Sequence, residues 1–585
     1  MGHACPKQPC HPAHGREHGA ALLLLMLLAF LAASSWVIQQ RGGESATSAR
    51  GAVDRTTRTA LAQAKEALLG RAASDDNRPG SLPCPDTDND GDSEMFAGVQ
   101  CRAYVGRLPW KTLDIPEALD GNGERLWYAL SANLRDHPSA QPINAQQTAQ
   151  LSLDGRPNIA AIIFAAGGSL AGQSGRPSNA LADYLDGTNA DGDTAYASAR
   201  ASPTFNDVAL AITQEDLFRP VKRRVLAEVR GSPTTAGLRR YRAEQGAFPW
   251  ADSGGHQAVR EPRGPRGVPL GGQRRRRFCR QWRGERQLAL PRAEHDAGAG
   301  LAERQRLVAA DRLSARERRP RAHRHRQRHA GRRPMKSPPG LMIARRGQAH
   351  ARRLAQGFSL VEMAVVLVIV GLLLGSVIVP LSAHLEQRQY NETQQQINDV
   401  REALYGFAML NGRLPRPATS AADGLENPAP CANDAACTGF IPWTTLGVKK
   451  SDAWNKIIRY SVTPAYANAA FTLTTAGNKR VQTRDAAGNT SFLIGSAGGC
   501  SPCAPAVVFS HGRNNWGTRE DGTPLADGSA TNLDEDVNAA TPPTNNFFAR
   551  LPSSNPAGGG EFDDILVWIS PFILINRMVS AGRLP

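Results

Sequence analysis

Two long apolar runs, at residues 20–38 and 358–381, constrain this chain of 585 residues more than any other feature. Each run is close to the roughly 20 residues that a helix needs to cross the hydrocarbon core of a bilayer. Basic residues precede both runs, and the positive-inside rule then places each N-terminus in the cytoplasm and the following domain across the membrane. The sequence therefore predicts two membrane helices, each followed by a large external domain.

Two outward crossings conflict with one simple topology. If residues 20–38 cross outward, residues 39–344 lie outside, and the basic flank of the second run cannot lie inside. The conflict disappears if the sequence joins two reading frames, of which the second begins at Met335 or Met342. We therefore interpret the chain as two single-crossing units in tandem.

The segment between the units carries almost all of the net charge. Residues 251–334 contain 23 arginines, no lysine and eight acidic residues, which accounts for roughly +15 of the formal charge of +16. No apolar periodicity is present there that could build a core. Three interpretations are open: a frame-shifted translation, a solvated linker and a nucleic-acid-binding arm. The lack of lysine favours the first, and nucleic acid is not favoured as a partner because the rest of the chain is nearly neutral.

The two units share an order of landmarks that indicates an internal repeat. Each has a Pro-Trp motif, GRLPWKTLDIP at 106–116 and GFIPWTTLGV at 439–448. Matching apolar runs follow, first IAAIIFAAG and APAVVFSHG, then FNDVALAIT and FDDILVWIS. These runs are short and bounded by Gly, Pro or polar residues, so they predict β-strands. Tryptophans and tyrosines recur at equivalent places, which favours core packing over sugar or base stacking.

A specific motif opens the second run. The segment Arg353-Leu-Ala-Gln-Gly357-Phe358-Ser-Leu-Val-Glu362 and the apolar residues after it resemble the class III signal sequence of type IV pilins and type II secretion pseudopilins. The resemblance implies cleavage by prepilin peptidase between Gly357 and Phe358, N-methylation of Phe358, and an assembly role for Glu362. Glycine lets the backbone approach the peptidase closely, and a lone carboxylate among apolar residues is costly unless it has a function. The first run is a weaker relative, because Leu24 stands where a pilin has Glu.

The resemblance implies an α+β fold that is present twice, with a long N-terminal hydrophobic helix and a small antiparallel β-sheet head. Pro380 is expected to bend or break the second helix as it leaves the bilayer. The expected domains are a leader at 1–19, a transmembrane helix at 20–38, a first periplasmic head at 39–225, a truncated pilin-like segment at 226–254, an Arg-rich disordered or misread segment at 255–334, a prepilin leader at 335–357, a transmembrane and assembly helix at 358–381, and a second periplasmic head at 382–585.

The six cysteines of the two predicted heads indicate disulfides, because the periplasm is an oxidising compartment. The expected pairs are Cys84 with Cys101, Cys431 with Cys437, and Cys500 with Cys503. Four cysteines in the second head nevertheless allow three connectivities. Cys500 and Cys503 also have redox-motif spacing, but they lie in a Gly-rich loop rather than at a helix N-terminus, where a thiolate would be stabilised.

The stretch DTDNDGD at 86–92 places carboxylates at alternate positions before a glycine, as in a calcium-binding loop. The twelfth position is Ala97 rather than a bidentate Glu, so the full EF-hand pattern is not met. Two interpretations are open: calcium bound through Asp86, Asp88 and Asp90, or a solvated acidic turn. No other cofactor is expected.

No nucleotide-binding loop, zinc-ligand spacing or nucleophile elbow stands out, so we expect no enzyme. The resemblance implies a structural subunit, a minor pilin or pseudopilin, of a type IV pilus or type II secretion pseudopilus. Its expected partners are prepilin peptidase, other pilin or pseudopilin subunits, the inner-membrane assembly platform and membrane lipid. It is expected to cross the bacterial inner membrane once, with a periplasmic head, before it enters the fibre. The alternative is a membrane-anchored periplasmic binding or adhesion module that is not polymerised.

Overall fold

The computed structural model of the chain describes residues 50–137, 142–234, 236–249, 360–500, 502–555 and 558–584. The first apolar run, the Arg-rich segment and the pair Gly357 and Phe358 lie outside these residues. The described residues up to 249 and those from 365 onward belong to one compact unit. Helices and mainly antiparallel sheets are both present, which confirms the expected α+β class.

The first half packs a long helix on a six-stranded sheet. Helix α1 covers residues 50–74. Its apolar positions recur every three or four residues and are buried in the core, as an amphipathic helix requires: Leu61, Ala64, Leu68 and Ala72. The strands are β1 (Val105–Arg107), β2 (Trp127–Leu130), β3 (Leu151–Leu153), β4 (Arg156–Ala165), β5 (Ala195–Tyr196) and β6 (Val208–Thr213). Their order is β1-β2-β4-β3-β5, and β6 pairs with β4.

Short 3-10 helices and two further α-helices complete the first half. The 3-10 helices are Ala132–Leu134, Leu181–Asp183 and Gly187–Ala190. The α-helices are α2 (Gln214–Arg230), which follows β6 directly, and α3 (Gly237–Gln245). A capping box starts α2, since the Thr213 side chain accepts a hydrogen bond from the N–H of Asp216 and the Asp216 side chain accepts one from the N–H of Thr213. The expected domain boundary between residues 225 and 226 falls inside α2.

The second half begins with helix α4 (Leu360–Asn411) and contains two sheets. Its strands are β7 (Thr438–Phe440), β8 (Arg459–Val462), β9 (Arg480–Arg484), β10 (Thr490–Ile494), β11 (Ala506–Ser510), β12 (Asn546–Phe548) and β13 (Ile565–Trp568). Its other helices are α5 (Trp443–Leu446), α6 (Pro464–Ala467), α7 (Leu533–Asn538) and α8 (Pro571–Ser580). One sheet, in the order β13-β11-β8-β7, is antiparallel throughout. The other has the order β10-β9-β12, with β12 parallel to β9.

Helix α4 differs from the expectation in two respects. It does not end near Pro380 but continues to Asn411, over 52 residues in all. Proline removes a single backbone donor, and a long helix can continue past it because the neighbouring turns keep their hydrogen bonds. Among the described residues, no helix is both long enough and apolar enough to cross a membrane. The expected spanning helix at 358–381 is therefore not found there, and most side chains between 361 and 383 lie outside the described set.

The two halves show the same strand neighbours and the same tyrosine contact. Strand β2 lies between β1 and β4 and β6 pairs with β4, just as β8 lies between β7 and β11 and β13 pairs with β11. The hydroxyl of Tyr128 donates to the carbonyl oxygen of Pro83 at 3.3 Å, and that of Tyr460 donates to Pro415 at 3.2 Å. Each half therefore has an antiparallel four-strand path with a buried tyrosine anchored to a proline carbonyl.

One hydrophobic core cluster contains residues of both halves. Its members include Leu68 of α1, Phe218 of α2, Leu404 of α4 and Leu574 of α8. Two smaller clusters are separate from it, one around Trp127, Phe164 and Tyr184 and the other around Val481, Phe509 and Phe547. Burial of apolar surface is the main favourable term in folding. The shared cluster therefore stabilises the contact between the halves as well as the fold of each half.

Candidate functional site

Helix α4 contains the position of the expected assembly residue. The described part of the helix begins at Leu360, and the backbone of Glu362 is helical. The side chain of Glu362, and both residues of the expected cleavage site, Gly357 and Phe358, lie outside the described residues. Their roles in cleavage, methylation and assembly stay predictions.

Three disulfides are present in the heads. They join Cys84 to Cys101, Cys431 to Cys437, and Cys500 to Cys503, with S–S distances of 2.01, 2.15 and 2.09 Å. These are the pairs named from the sequence. They close segments of 17, 6 and 3 residues, so each one stabilises a local loop. The first ties together the two ends of the acidic loop at 86–97.

The acidic loop is organised by the buried side chain of Asp86. Its carboxylate accepts hydrogen bonds from the backbone N–H groups of Asn89 at 2.6 Å and Gly91 at 2.8 Å. Burial raises the pKa of Asp86, and these two hydrogen bonds oppose the rise because they favour the ionised form. Asp86 therefore holds the turn together from inside.

A group of three acids in this loop has spacing suited to a cation. Carboxylate oxygens of Asp86, Asp88 and Glu94 lie within 4.8 Å of one another. Asp90, expected from its alternate spacing, is not in this group, and its carboxylate accepts a hydrogen bond from the N–H of Asp92 at 2.8 Å. The structure thus pairs the first two expected ligands with a glutamate eight residues beyond Asp86. Calcium binding by the loop stays a prediction.

A second acidic group, not predicted from the sequence, lies in the second half. Oxygens of Glu535, Asp563 and Asp564 lie within 4.8 Å of one another. Glu535 of α7 accepts a hydrogen bond from the N–H of Asp563 at 2.7 Å. Burial, with repulsion from the other two carboxylates, raises the pKa of Asp563 to about 7, and burial also raises that of Glu535. The adjacent Asp563 and Asp564 in FDDIL are the only sequence signal for this group. The third acid, Glu535, is 28 residues from Asp563 in the sequence.

Lys456 and His511 surround this second group. Lys456 is buried, and its Nζ donates to the carbonyl oxygens of His511, Asn514 and Asn515 at 2.9, 2.6 and 2.7 Å. Burial lowers the pKa of Lys456, whereas the nearby carboxylates raise it. Nδ1 of His511 lies 3.5 Å from Oδ1 of Asp564 and has no hydrogen-bond partner. One lysine facing three carboxylates leaves net negative charge, which a proton or a cation can offset.

The aromatic residues that recur in both halves lie in the core. Trp110, Trp127, Tyr128 and Tyr460 are at most 4% exposed, and Trp443 and Trp454 pack partly buried against the shared cluster. The four buried rings are therefore unavailable as a stacking surface for sugars or bases, in agreement with the interpretation as core residues.

Comparison with known proteins identifies one segment of the chain. Residues 352–378 match the family model for the prokaryotic N-terminal methylation motif. The matched segment contains the basic residues before Gly357, the expected cleavage site, Glu362 and most of the apolar run. No curated protein and no solved structure matches the chain. The match therefore concerns the segment around the expected cleavage site and not the residues after 378.

Proposed function

We propose that this type IV pilin-like chain is a structural subunit, a minor pilin or pseudopilin, of a type IV pilus or a type II secretion pseudopilus. The observation that carries the proposal is the match of residues 352–378 to the prokaryotic N-terminal methylation motif. That motif supports processing by prepilin peptidase and suggests a membrane-anchored place in the cell envelope.

The proposed mechanism begins at the basic leader, which stays at the anionic cytoplasmic surface of the membrane. Prepilin peptidase cuts after Gly357, and the new N-terminus at Phe358 is methylated. The carboxylate of Glu362 then pairs with the amino group of a neighbouring subunit and sets the register of packing. Since α4 continues without interruption to Asn411, movement of its N-terminal end is transmitted directly to the head.

We also propose that the two halves are diverged copies of one pilin-like module. The equivalent strand neighbours and the matched tyrosine contacts support this. Two glycine contacts add to the support: a Cβ at Gly91 would crowd the ring of Trp110, and a Cβ at Gly424 would crowd that of Trp443. The same close approach thus occurs at the Pro-Trp motif of each half.

A structural role is proposed rather than an enzymatic one. Carboxylates of the second acidic group hydrogen-bond within the fold, as Glu535 does to the N–H of Asp563. The arrangement supports loop stability better than turnover.

The first experiment is intact-mass analysis and N-terminal sequencing of the protein from membranes of its native host. We expect a species that begins at N-methylated Phe358, because the matched motif lies across that bond. A single species that begins at Met1 would contradict both cleavage and the two-frame interpretation.

The assembly role is tested by Glu362→Ala, with Glu386→Ala as the matched control on the same helix. Glu386 is about half exposed and pairs with Arg513 at the surface, so its loss should not change assembly. We expect Glu362→Ala to be processed normally but absent from sheared fibres, and Glu386→Ala to be present in them. Normal incorporation of Glu362→Ala would instead favour an anchored module that is not polymerised.

A further inference from the structure

Helix α8 is apolar around most of its circumference. Seven of its ten residues are buried: Pro571, Ile573, Leu574, Ile575, Asn576, Met578 and Val579. A helix that is apolar on all sides must be enclosed by protein and cannot lie on a single surface. Elements of the second half, including α4, cover one side of α8, and α1 and α2 of the first half cover the other.

A close approach between the halves occurs at Gly70 of α1. A Cβ added at Gly70 would overlap the carbonyl oxygen of Phe572 in α8. The guanidinium of the next residue, Arg71, lies 5.9 Å from the centre of the Phe572 ring. Glycine in a helix interior costs about 1 kcal/mol relative to alanine. The glycine therefore permits a contact that no other residue would allow.

Buried polar groups of one half are satisfied by the other. Nε1 of Trp568 donates to the carbonyl oxygen of Asp114 at 3.0 Å, and Oγ of Ser570 donates to that of Leu113 at 3.5 Å. Both donors are almost completely buried, at 3% and 1% exposure. A buried carbonyl or indole N–H that loses its partner costs about 1–3 kcal/mol. Separation of the halves would therefore require water to replace these bonds.

Charged groups surround this buried contact. Arg577 of α8 pairs with Glu66 of α1 at 2.8 Å and with Glu402 of α4 at 2.6 Å. Arg223 of α2 donates to the carbonyl oxygen of Ser580 at 2.6 Å. A polar rim around an apolar centre is the usual anatomy of a protein–protein interface.

We propose that the two halves are partners in a complex that persists without the peptide connection through residues 251–359. In this inter-half interface, α8 of one pilin-like unit binds α1, α2 and the turn at Leu113 and Asp114 of the other. Without its partner, each half would expose a contiguous apolar surface together with unpaired buried groups. The contacts above do not include residues 251–359. The proposal is independent of the role in a fibre.

The test uses the full chain with a site-specific protease sequence inserted between residues 300 and 301. After cleavage, the C-terminal fragment is captured by a C-terminal affinity tag in mild detergent, and the N-terminal fragment is quantified. We expect the N-terminal fragment to be retained at both low salt and about 1 M salt, because an apolar interface is not screened. Release of the fragment on cleavage of the parent protein would overturn the proposal.

Gly70→Leu and Gly51→Leu form the matched pair of variants. Both glycines are in α1, but a Cβ at Gly51 meets no atom within 4 Å. We expect Gly70→Leu to lower retention about tenfold or more and Gly51→Leu to leave it unchanged. Equal retention of both variants would show that shared detergent micelles, not the interface, hold the fragments, and would also overturn the proposal.

Trp568→Phe provides a variant with little risk to folding. It keeps most of the buried ring but removes the donor to the carbonyl oxygen of Asp114. We expect the N-terminal fragment to dissociate about fivefold to tenfold faster after cleavage, in line with one lost buried hydrogen bond. An unchanged dissociation rate would count against the interface as described.

Discussion

The hydroxyl of Tyr128 donates a buried hydrogen bond of 3.3 Å to the carbonyl oxygen of Pro83, and 332 residues later Tyr460 makes the same bond to Pro415. We expect Tyr128→Phe and Tyr460→Phe each to lower the free energy of unfolding by about 1–2 kcal/mol, because each leaves a buried carbonyl without its donor. Chemical denaturation measures both. A large loss for one variant and none for the other would argue against equivalent roles in the two halves.

The three disulfides should differ in their contributions. A crosslink stabilises mainly by restricting the unfolded chain, so its effect grows with the loop it closes. Replacing Cys84 and Cys101 by serine opens a 17-residue loop and should cost about 3 kcal/mol, whereas replacing Cys500 and Cys503 opens a 3-residue loop and should cost less than about 2 kcal/mol. Thermal unfolding of the two double variants tests this order. The reverse order would mean that the short bridge holds structure beyond its own loop.

Stability should fall as pH rises through 7 because of Asp563. Its pKa is about 7 in the folded protein against 3.8 for an unperturbed aspartate, so folding takes up a proton between these pH values. That stabilisation is complete below about pH 4 and is lost as pH rises through 7. We expect Asp563→Asn to be more stable than the parent protein at pH 8, by a few kcal/mol at most, with a smaller difference at pH 5. Melting curves at both values test it, and an equal difference at the two would contradict a proton held at Asp563.

Calcium binding by the loop at 86–97 predicts a rise in melting temperature when the ion is added, which a chelator reverses. Asp88→Asn should remove this rise because Asp88 belongs to the group of three acids, whereas Asp90→Asn should keep it because Asp90 does not. Isothermal calorimetry with calcium alone gives a second readout. The absence of any effect in the parent protein would favour the solvated acidic turn.

Loss of the Asp86 side chain should matter whether or not calcium binds. Asp86→Ala removes two hydrogen bonds to backbone N–H groups inside the fold and should cost about 2–3 kcal/mol. Asp92→Ala is the control, since Asp92 is more exposed and pairs only loosely with Lys111 at 3.8 Å. Equal losses for both variants would mean that the turn is not organised by Asp86.

Local features of the fold could be predicted from the sequence and tertiary ones could not. The short apolar runs APAVVFSHG and FDDILVWIS correctly predict strands. The signals for a strand, apolar residues bounded by Gly, Pro or polar residues, lie within a few positions of each other in the sequence. The acidic group could not be found, because Glu535 of α7 and Asp563 are 28 residues apart and meet only in the folded chain. The sequence also does not predict that α4 continues past Pro380. Proline removes one backbone hydrogen bond, and this cost does not by itself decide where a long helix ends.

The sequence pattern does not predict the contact between the halves, because each half carries the landmarks of a separate head. The sequence of α8, PFILINRMVS, is apolar on more than one face, and this was the available signal. A helix of a simple surface layer would show one apolar stripe. The apolar surface of α8 beyond one stripe is explained by its contact with α1, where Gly70 lies against Phe572.

The position of α8 in chain order also bears on synthesis. Every other element of the shared core precedes residues 571–580, so a ribosome reaches α8 about 500 residues after the end of α1 and about 340 residues after the end of α2. Translation at 5–20 residues per second leaves α1 and α2 without α8 for about 17 to 100 seconds. During that interval the nascent chain exposes the apolar surface of α1 and α2 that α8 later covers. We expect molecular chaperones to bind this surface.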